Sequence, residues 1–167
     1  MIIRVEHPKD HTEIRDLVYE AFEDNPHREP GTPPTEPEIL EQLRSHKALT
    51  LSLVAEQDGQ IIGHVAFSPV TINGQDLDWF GLGPVAVAYL HRTKGVGAKL
   101  IRKGLEILRN DGASGVVVLG DPDYYQKFGF KPDRRLYLAD VPQEYFMMLA
   151  FEKDLPEGEV AYHPAFN

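Results

Sequence analysis

The 167-residue sequence contains no cysteine. That absence excludes a disulfide framework, a zinc-thiolate site and a cysteine nucleophile. The sequence also lacks any apolar run near the roughly 18 residues that span a bilayer. Its opening residues, Met1-Ile2-Ile3-Arg4, lack the basic-then-apolar layout of a secretory leader. A soluble, cytoplasmic chain is expected. Basic residues are the scarcer sign: 17 Lys and Arg stand against 26 Asp and Glu, for a formal net charge of -9. Such a field repels nucleic acid and anionic membrane, so neither is expected as a partner, and any anionic ligand needs a local device to hold it. In one window the imbalance reverses. From Trp79 to Leu105 there is no Asp or Glu, while Arg92, Lys94, Lys99, Arg102 and Lys103 all fall inside it. A cluster of this kind fits either a solvated helix face or an anion site.

What is present points to one turn-rich mixed α/β domain over residues 1–167. The 14 glycines and 13 prolines are scattered without a period, and 42% of residues are apolar. Ile2 to Val5 reads as a short strand. Asp10 and Glu13 have capping-box spacing, and Ile14, Leu17, Val18, Ala21 and Phe22 behind them form the buried stripe of a helix. Asp24 to Pro34 holds five helix-breaking residues, Pro26, Pro30, Gly31, Pro33 and Pro34, and is expected to be a loop. Thr35 and Glu38 repeat the capping pattern for a second helix ending near Ser45. Asp58-Gly59 and Asn73-Gly74 are hairpin turns, which predict a three-strand meander with arms at Thr50–Ala55, Ile61–Ile72 and Gln75–Val87. Gly81, Gly83 and Pro84 should distort its last strand. Val96, Leu100, Ile101, Leu105 and Leu108 give a third helix. Val116 to Leu119 reads as a central, parallel strand. A short helix from Pro122 to Phe128 and closing strands at Tyr145–Phe151 and Glu159–Tyr162 complete the order β-α-α-β-β-β-α-β-α-β-β.

The chemistry concentrates where the third meander strand meets the third helix. There Val85, Ala86 and Val87 lead through a loop into Arg92, Thr93, Lys94, Gly95, Val96, Gly97 and Ala98. Peptide N–H groups at a helix start have no internal acceptor and sit at the positive end of the helix dipole, so they bind phosphate oxygens. Gly95 and Gly97 let an anion approach the backbone, and Arg92 and Lys94 add full charges. The site suits a pyrophosphate. It is neither a Walker loop, since no Gly-Lys-Ser/Thr occurs in it, nor a dinucleotide fingerprint, since the third glycine is missing.

The pattern Arg92-x-x-Gly95-x-Gly97 after Val85-x-Val87 resembles motif A of the GCN5-related N-acetyltransferase (GNAT) family. Tyr125-Gln126-Lys127-Phe128-Gly129-Phe130 is similar to that family's Tyr-x-x-x-Gly-Phe signature. The segments Gly81-Leu82-Gly83-Pro84, Gly120-Asp121-Pro122 and Tyr162-His163-Pro164-Ala165-Phe166 resemble an uncharacterised bacterial group within it. The resemblance implies a mixed, mostly antiparallel sheet flanked by helices, and acetyl-coenzyme A as co-substrate. It also implies direct attack of an amine on the thioester, with no metal. It implies that pantetheine pairs with Val85, Ala86 and Val87, that residues 92–98 hold the pyrophosphate, and that Tyr125 gives a proton to the leaving thiolate. Tyr125 also fits a plain core role beside Phe128 and Phe130. Two features depart from the family: Tyr89 replaces a frequent proline, and Gly120-Asp121-Pro122-Asp123 replaces the usual asparagine. Asp76, Asp78, His64, Asp121 and Glu144 are the candidates for a general base. A small-molecule or peptide amine is the expected acceptor, met by the Asp24–Pro34 loop, the second helix and the turn before Glu159. The closing strands offer a route to a homodimer. Competing readings are a non-catalytic acyl-coenzyme A binding module and an interaction protein using its basic helix face.

Overall fold

The computed structural model of the chain describes residues 1–25 and 29–167. In chain order the strands are β1 (Ile2–Val5), β2 (Leu51–Gln57), β3 (Gln60–Pro69), β4 (Thr71–Ile72), β5 (Trp79–Val87), β6 (Gly115–Leu119), β7 (Leu136–Tyr137), β8 (Phe146–Ala150) and β9 (Gly158–Ala161). The helices are α1 (His11–Glu23), α2 (Glu36–Ser45), α3 (Val96–Asn110) and α4 (Pro122–Tyr125), the last running into a 3-10 turn at Gln126–Phe128. Six strands form the main sheet in the order β1-β2-β3-β5-β6-β8. Its neighbours are antiparallel except β5 and β6, which run parallel on either side of the α3 crossover.

Both faces of this sheet are covered, and strand alternation divides the side chains between them. Leu53 and Ala55 of β2 pack with Leu100, Ile101 and Leu105 of α3. Val54, between them, packs with Ile14, Val18 and Leu40 of α1 and α2. Val116 and Val118 of β6 likewise join the α3 core, while Val117 turns to the other face. There it meets Val160, Leu136 and Ile72 from a three-stranded sheet ordered β4-β9-β7. One face thus carries α3 with the α4 segment packed beside it through Phe128 and Phe130, and the opposite face carries α1, α2 and the small sheet.

Three expectations change. The predicted arm Ile61–Ile72 divides: β3 ends at Pro69, and Ile72 pairs with Val160 of β9 instead of continuing beside β5. Asn73-Gly74 does make a tight turn, closed by mutual Ile72 and Gln75 backbone bonds, but the next strand starts at Trp79 and not Gln75. A turn motif fixes a reversal of direction, while the choice of partner strand rests on contacts far along the chain. Second, the closing strands enter different sheets. β8 is the last strand of the main sheet, its outer edge bridged to Lys131 at Met148, whereas β9 has β4 on one side and β7 on the other. Third, Asp10 and Glu13 do not form a capping box. Asp10 receives the Arg4 guanidinium at 2.7 Å and the His7 N–H at 2.7 Å. Arg4 thereby holds the buried Asp10 carboxyl down at a pKa of about 2, against the cost of burial. Glu13 reaches across to the Ile61 N–H at 2.7 Å. The proline-rich loop runs through residues 26–28, which lie outside the described residues.

A polar network ties α2 to the sheet. Arg44 donates to both oxygens of Glu6 at 3.0 and 2.8 Å, and the Ser52 hydroxyl donates to the same carboxylate. Burial opposes the Glu6 charge, but these donors outweigh it and keep its pKa below the ordinary range. His64 Nε2 lies 2.7 Å from Ser52 Oγ. With the one hydroxyl proton committed to Glu6, the histidine is the donor of that contact, a neutral imidazole bearing hydrogen on Nε2. Burial pushes its pKa from 6.5 down to about 4, with Glu6 opposing and Arg44 assisting. Between those values the unfolded chain binds a proton that the folded chain refuses. The stability is therefore complete above about pH 6.5 and falls as pH drops towards 4, by on the order of 3 kcal/mol. We expect the thermal midpoint, followed by circular dichroism, to decline across this window, and His64→Leu to flatten the decline.

Candidate active site

The site begins with a failure of pairing. β5 meets β6 only from Trp79–Gly115 to Gly81–Val117, and beyond Gly81 it continues to Val87 beside β3 alone. The β3–β5 register shifts between Val65 and Phe67, opposite Gly83 and Pro84, where the sequence anticipated a distortion. Ala88 donates to the Ile62 carbonyl at 2.8 Å. Alternation along an antiparallel strand then turns the peptide groups of Ala86 toward β3, and those of Val85 and Val87 toward the edge that β6 has left. Of the three residues expected to pair with a ligand arm, Val85 presents its peptide groups and Val87 its N–H, the Val87 carbonyl being taken by Arg92, while Ala86 is turned to β3.

The loop after β5 contains a 3-10 turn at Tyr89–His91 and two left-handed residues, Thr93 at φ 66° and Gly95 at φ 81°. Gly95 starts α3: its carbonyl takes the first helical bond, from Lys99 N–H at 3.1 Å. The N–H groups of Val96, Gly97 and Ala98 have no helical acceptor and face outward from the positive helix end. Gly97 is closely overlooked. A Cβ there would stand 3.4 Å from the Tyr124 hydroxyl and 3.5 Å from Val87. Thr93 and Lys94 are exposed at the rim, while the Val96 side chain is core. Arg92 is exposed beside Thr93 and Lys94, with its Nε donating to the Val87 carbonyl at 3.3 Å and its guanidinium over the Tyr89 ring. Farther along α3, Arg102 lies over the Phe128 ring and Lys103 pairs with Glu106 at 3.9 Å, as a solvated face does.

Tyr125 sits at the end of α4, whose start is fixed by Asp121 accepting from Asp123 N–H at 2.9 Å and by Pro122 in the first turn. Its ring stands edge-on to Phe130 and to Tyr124, and it fills the space over Gly120, where a Cβ would come within 2.6 Å of it. Burial, with Tyr124 adding, pushes its pKa up to about 12. The phenol is thus neutral and proton-bearing at neutral pH. The core role and the cavity role coexist, because the same side chain lines a cavity of about 740 Å³.

That cavity occupies the gap between α1, α2, the small sheet and the parted strands. Leu82 to Val85 of β5 form one wall, Leu119 and Tyr125 the next, and Phe22 and Ile39 of the helices a third. Val160 and Tyr162 close it from the small-sheet side, and its two side-chain carboxylates are Glu36 and Glu159. None of the five expected bases lines it. Asp76 accepts from Asp78 N–H in a turn, Asp121 caps α4, His64 belongs to the buried network, and Glu144 lies in a separate 3-10 turn. Of the segments expected to meet an acceptor, the second helix contributes Glu36 and Ile39, whereas the turn before Glu159 and the described residues of the Asp24–Pro34 loop do not line the cavity. Tyr162 opens the Tyr162-His163-Pro164-Ala165-Phe166 segment noted in the sequence, but without a role; Tyr124, Glu36 and Glu159 were not singled out as site residues, since each is brought in by packing between elements distant in the chain.

Comparison with known proteins gives this geometry its context. The acetyltransferase (GNAT) domain family profile matches residues 3–132. The uncharacterised N-acetyltransferase YhbS of Escherichia coli strain K12 is 42% identical over 132 residues, 78% of this chain and 74% of that protein. A GNAT family acetyltransferase from Brucella melitensis, crystallised with acetyl-CoA, superposes with a TM-score of 0.87 at 49% identity, covering 99% of this chain and 97% of that one. Escherichia coli YhbS in complex with CoA gives a TM-score of 0.89 at 36% identity over 99% of this chain and 91% of its own. With the parted parallel strands, the uncapped start of α3 and the tyrosine beside them, these matches establish that the chain belongs to the GNAT acetyltransferase family.

Proposed function

We propose that the chain acts as one domain that transfers an acetyl group from acetyl-coenzyme A to a primary amine, without a metal. The observation that carries the proposal is the free edge of β5 at Val85 and Val87, running directly into the uncapped N-terminus of α3. A diphosphate at Val96, Gly97 and Ala98, with Arg92, Thr93, Lys94 and Gly95 as rim, leaves a pantetheine arm to run back along Val87 and then Val85 as an added strand. The reading gains support from two solved relatives, one crystallised with acetyl-CoA and one with CoA.

The thioester then lies at the parting of β5 and β6, next to the cavity. An uncharged amine attacks its carbonyl carbon, and the N–H of Val85 or Val87 bonds the oxyanion that forms. When the carbon–oxygen double bond re-forms, the carbon–sulfur bond breaks and the sulfur takes the proton of Tyr125. The Tyr125 phenolate is reprotonated from solvent, and the amide nitrogen sheds its extra proton. A neutral phenol kept protonated by burial suits this acid role. Glu36 and Glu159 give the cavity a negative rim that attracts an ammonium-bearing acceptor.

Gly97→Val is expected to weaken coenzyme A binding at least tenfold, about 1.4 kcal/mol, in titration calorimetry with an unchanged thermal midpoint. Unchanged affinity would remove the diphosphate from α3. Tyr125→Phe keeps the ring packing and removes the acid. We expect thiol release from acetyl-CoA, measured with a panel of primary amines, to drop by about 10²–10⁴ while coenzyme A affinity stays within twofold. Micromolar coenzyme binding without turnover in the wild type would instead favour a binding module, and no coenzyme affinity would favour an interaction protein.

A further inference from the structure

The Tyr162 hydroxyl has no use in the fold. Its oxygen is sealed from solvent and finds no hydrogen-bond partner among the described residues, although part of the ring borders the cavity. The ring itself is well placed. Its Cδ1–Cε1 edge lies over Gly81, where a Cβ would come within 2.5 Å of it, and it packs against Phe166 at 5.4 Å between centroids. A phenylalanine would make all of those contacts without burying an unpaired hydroxyl, which costs stability. Ser68 pairs with Gly81 across the sheet, and its hydroxyl is also buried and unpartnered, so the two hydroxyls do not satisfy each other.

The position under the ring is informative. Gly81 is the last β5 residue paired to β6, so Tyr162 stands at the apex of the strand parting, on the face that holds the cavity. In the reading proposed above, on which this inference rests, the pantetheine arm runs from Val87 to Val85 and its acyl end points to that apex. Tyr125 borders the same cavity, and its presence raises the Tyr162 pKa further after burial has done most of the work. The Tyr162 phenol therefore stays protonated and acts as a donor. A donor at this place has three ligand atoms to choose between, and in the proposed reaction the sulfur is already served by Tyr125. Donation to the amine nitrogen would occupy the lone pair that must attack, and block the reaction. Donation to the carbonyl oxygen of the thioester strengthens as that oxygen becomes anionic.

We infer that the Tyr162 hydroxyl is a second hydrogen-bond donor to the acyl carbonyl oxygen, working with the β5 backbone N–H. The bond requires only that the ring tilt so that its oxygen meets the cavity when the acyl group arrives.

Three ligands separate this bond from the rest of the coenzyme: coenzyme A, acetyl-CoA, and S-ethyl-coenzyme A, in which a methylene replaces the carbonyl. Calorimetric titration of Tyr162→Phe is expected to give at least threefold weaker acetyl-CoA binding than the wild type. Affinities for coenzyme A and S-ethyl-coenzyme A should be unchanged, and the thermal midpoint equal or higher. Equal acetyl-CoA affinity in the two proteins would overturn the inference while leaving the acetyltransferase reading intact. Parallel weakening of all three ligands, or a lower thermal midpoint, would also overturn it, by showing that the hydroxyl supports the fold. If the wild type binds none of the three, the coenzyme reading itself fails and this inference with it.

Discussion

The loss of hydrogen bonding between β5 and β6 after Gly81 is the constraint on which the rest of the site depends. Two parallel strands that stayed paired would satisfy their peptide groups internally and leave no gap between α2 and the small sheet. Their separation has a local cause. Pro84 has no N–H to offer, and the β3–β5 register slips across Gly83-Pro84, so this stretch of β5 cannot hold two neighbours in regular ladders. The open peptide groups of Val85, the open N–H of Val87 and the cavity all follow from that interruption. The sheet remains stable around it because the breach lies between two well-packed faces. Leu100, Ile101 and Leu105 seal one side of the main sheet, and Ile14, Val18 and Leu40 seal part of the other.

Several features trade stability for readiness. Uncapped N–H groups on α3, open peptide groups on β5 and the unpaired Tyr162 hydroxyl each leave a hydrogen-bonding group unmet in the folded chain. Elsewhere the same chain satisfies its polar groups closely. Arg4 with Asp10 and Glu56, and Glu6 with Arg44 and Ser52, are nearly complete arrangements on the side of the sheet away from the parted strands. The unmet groups of α3, β5 and Tyr162 lie along the parting of the strands, while His64 Nδ1 and the Ser68 hydroxyl on β3 are also buried without a partner.

Much of this was legible in sequence, for reasons of range. The stripes of α1, α2 and α3, the Asp58-Gly59 turn and the uninterrupted apolar run of β6 are properties of neighbouring residues, and each appears in the structure where the pattern put it. So were the glycines and cations before α3. Partner choice was not legible. Nothing local to Ile72 directs it to Val160, and nothing local to Tyr162 announces that its ring will roof Gly81. The cavity carboxylates were invisible because Glu36 and Glu159 lie far apart in the chain and meet only through folding.

The arrangement of charge bears on how such a site deprotonates an amine without a strong base at the reacting atoms. A carboxylate beside the amine would attract it as ammonium but would also stabilise that charged, unreactive form. Glu36, at the start of α2, and Glu159, on the small sheet, are carboxylates of the outer elements, whereas Leu82, Val85 and Leu119 belong to the parted strands. In the reaction proposed above, an ammonium drawn in by the acids would lose hydration as it moved toward that apolar wall, and desolvation would favour release of its proton before it met the thioester. Around the start of α3 the stretch from Trp79 to Leu105 contributes no carboxylate, so in the proposed reading the diphosphate of the coenzyme and the ammonium of the acceptor would each be met by charge of the opposite sign, one at the start of α3 and the other in the cavity.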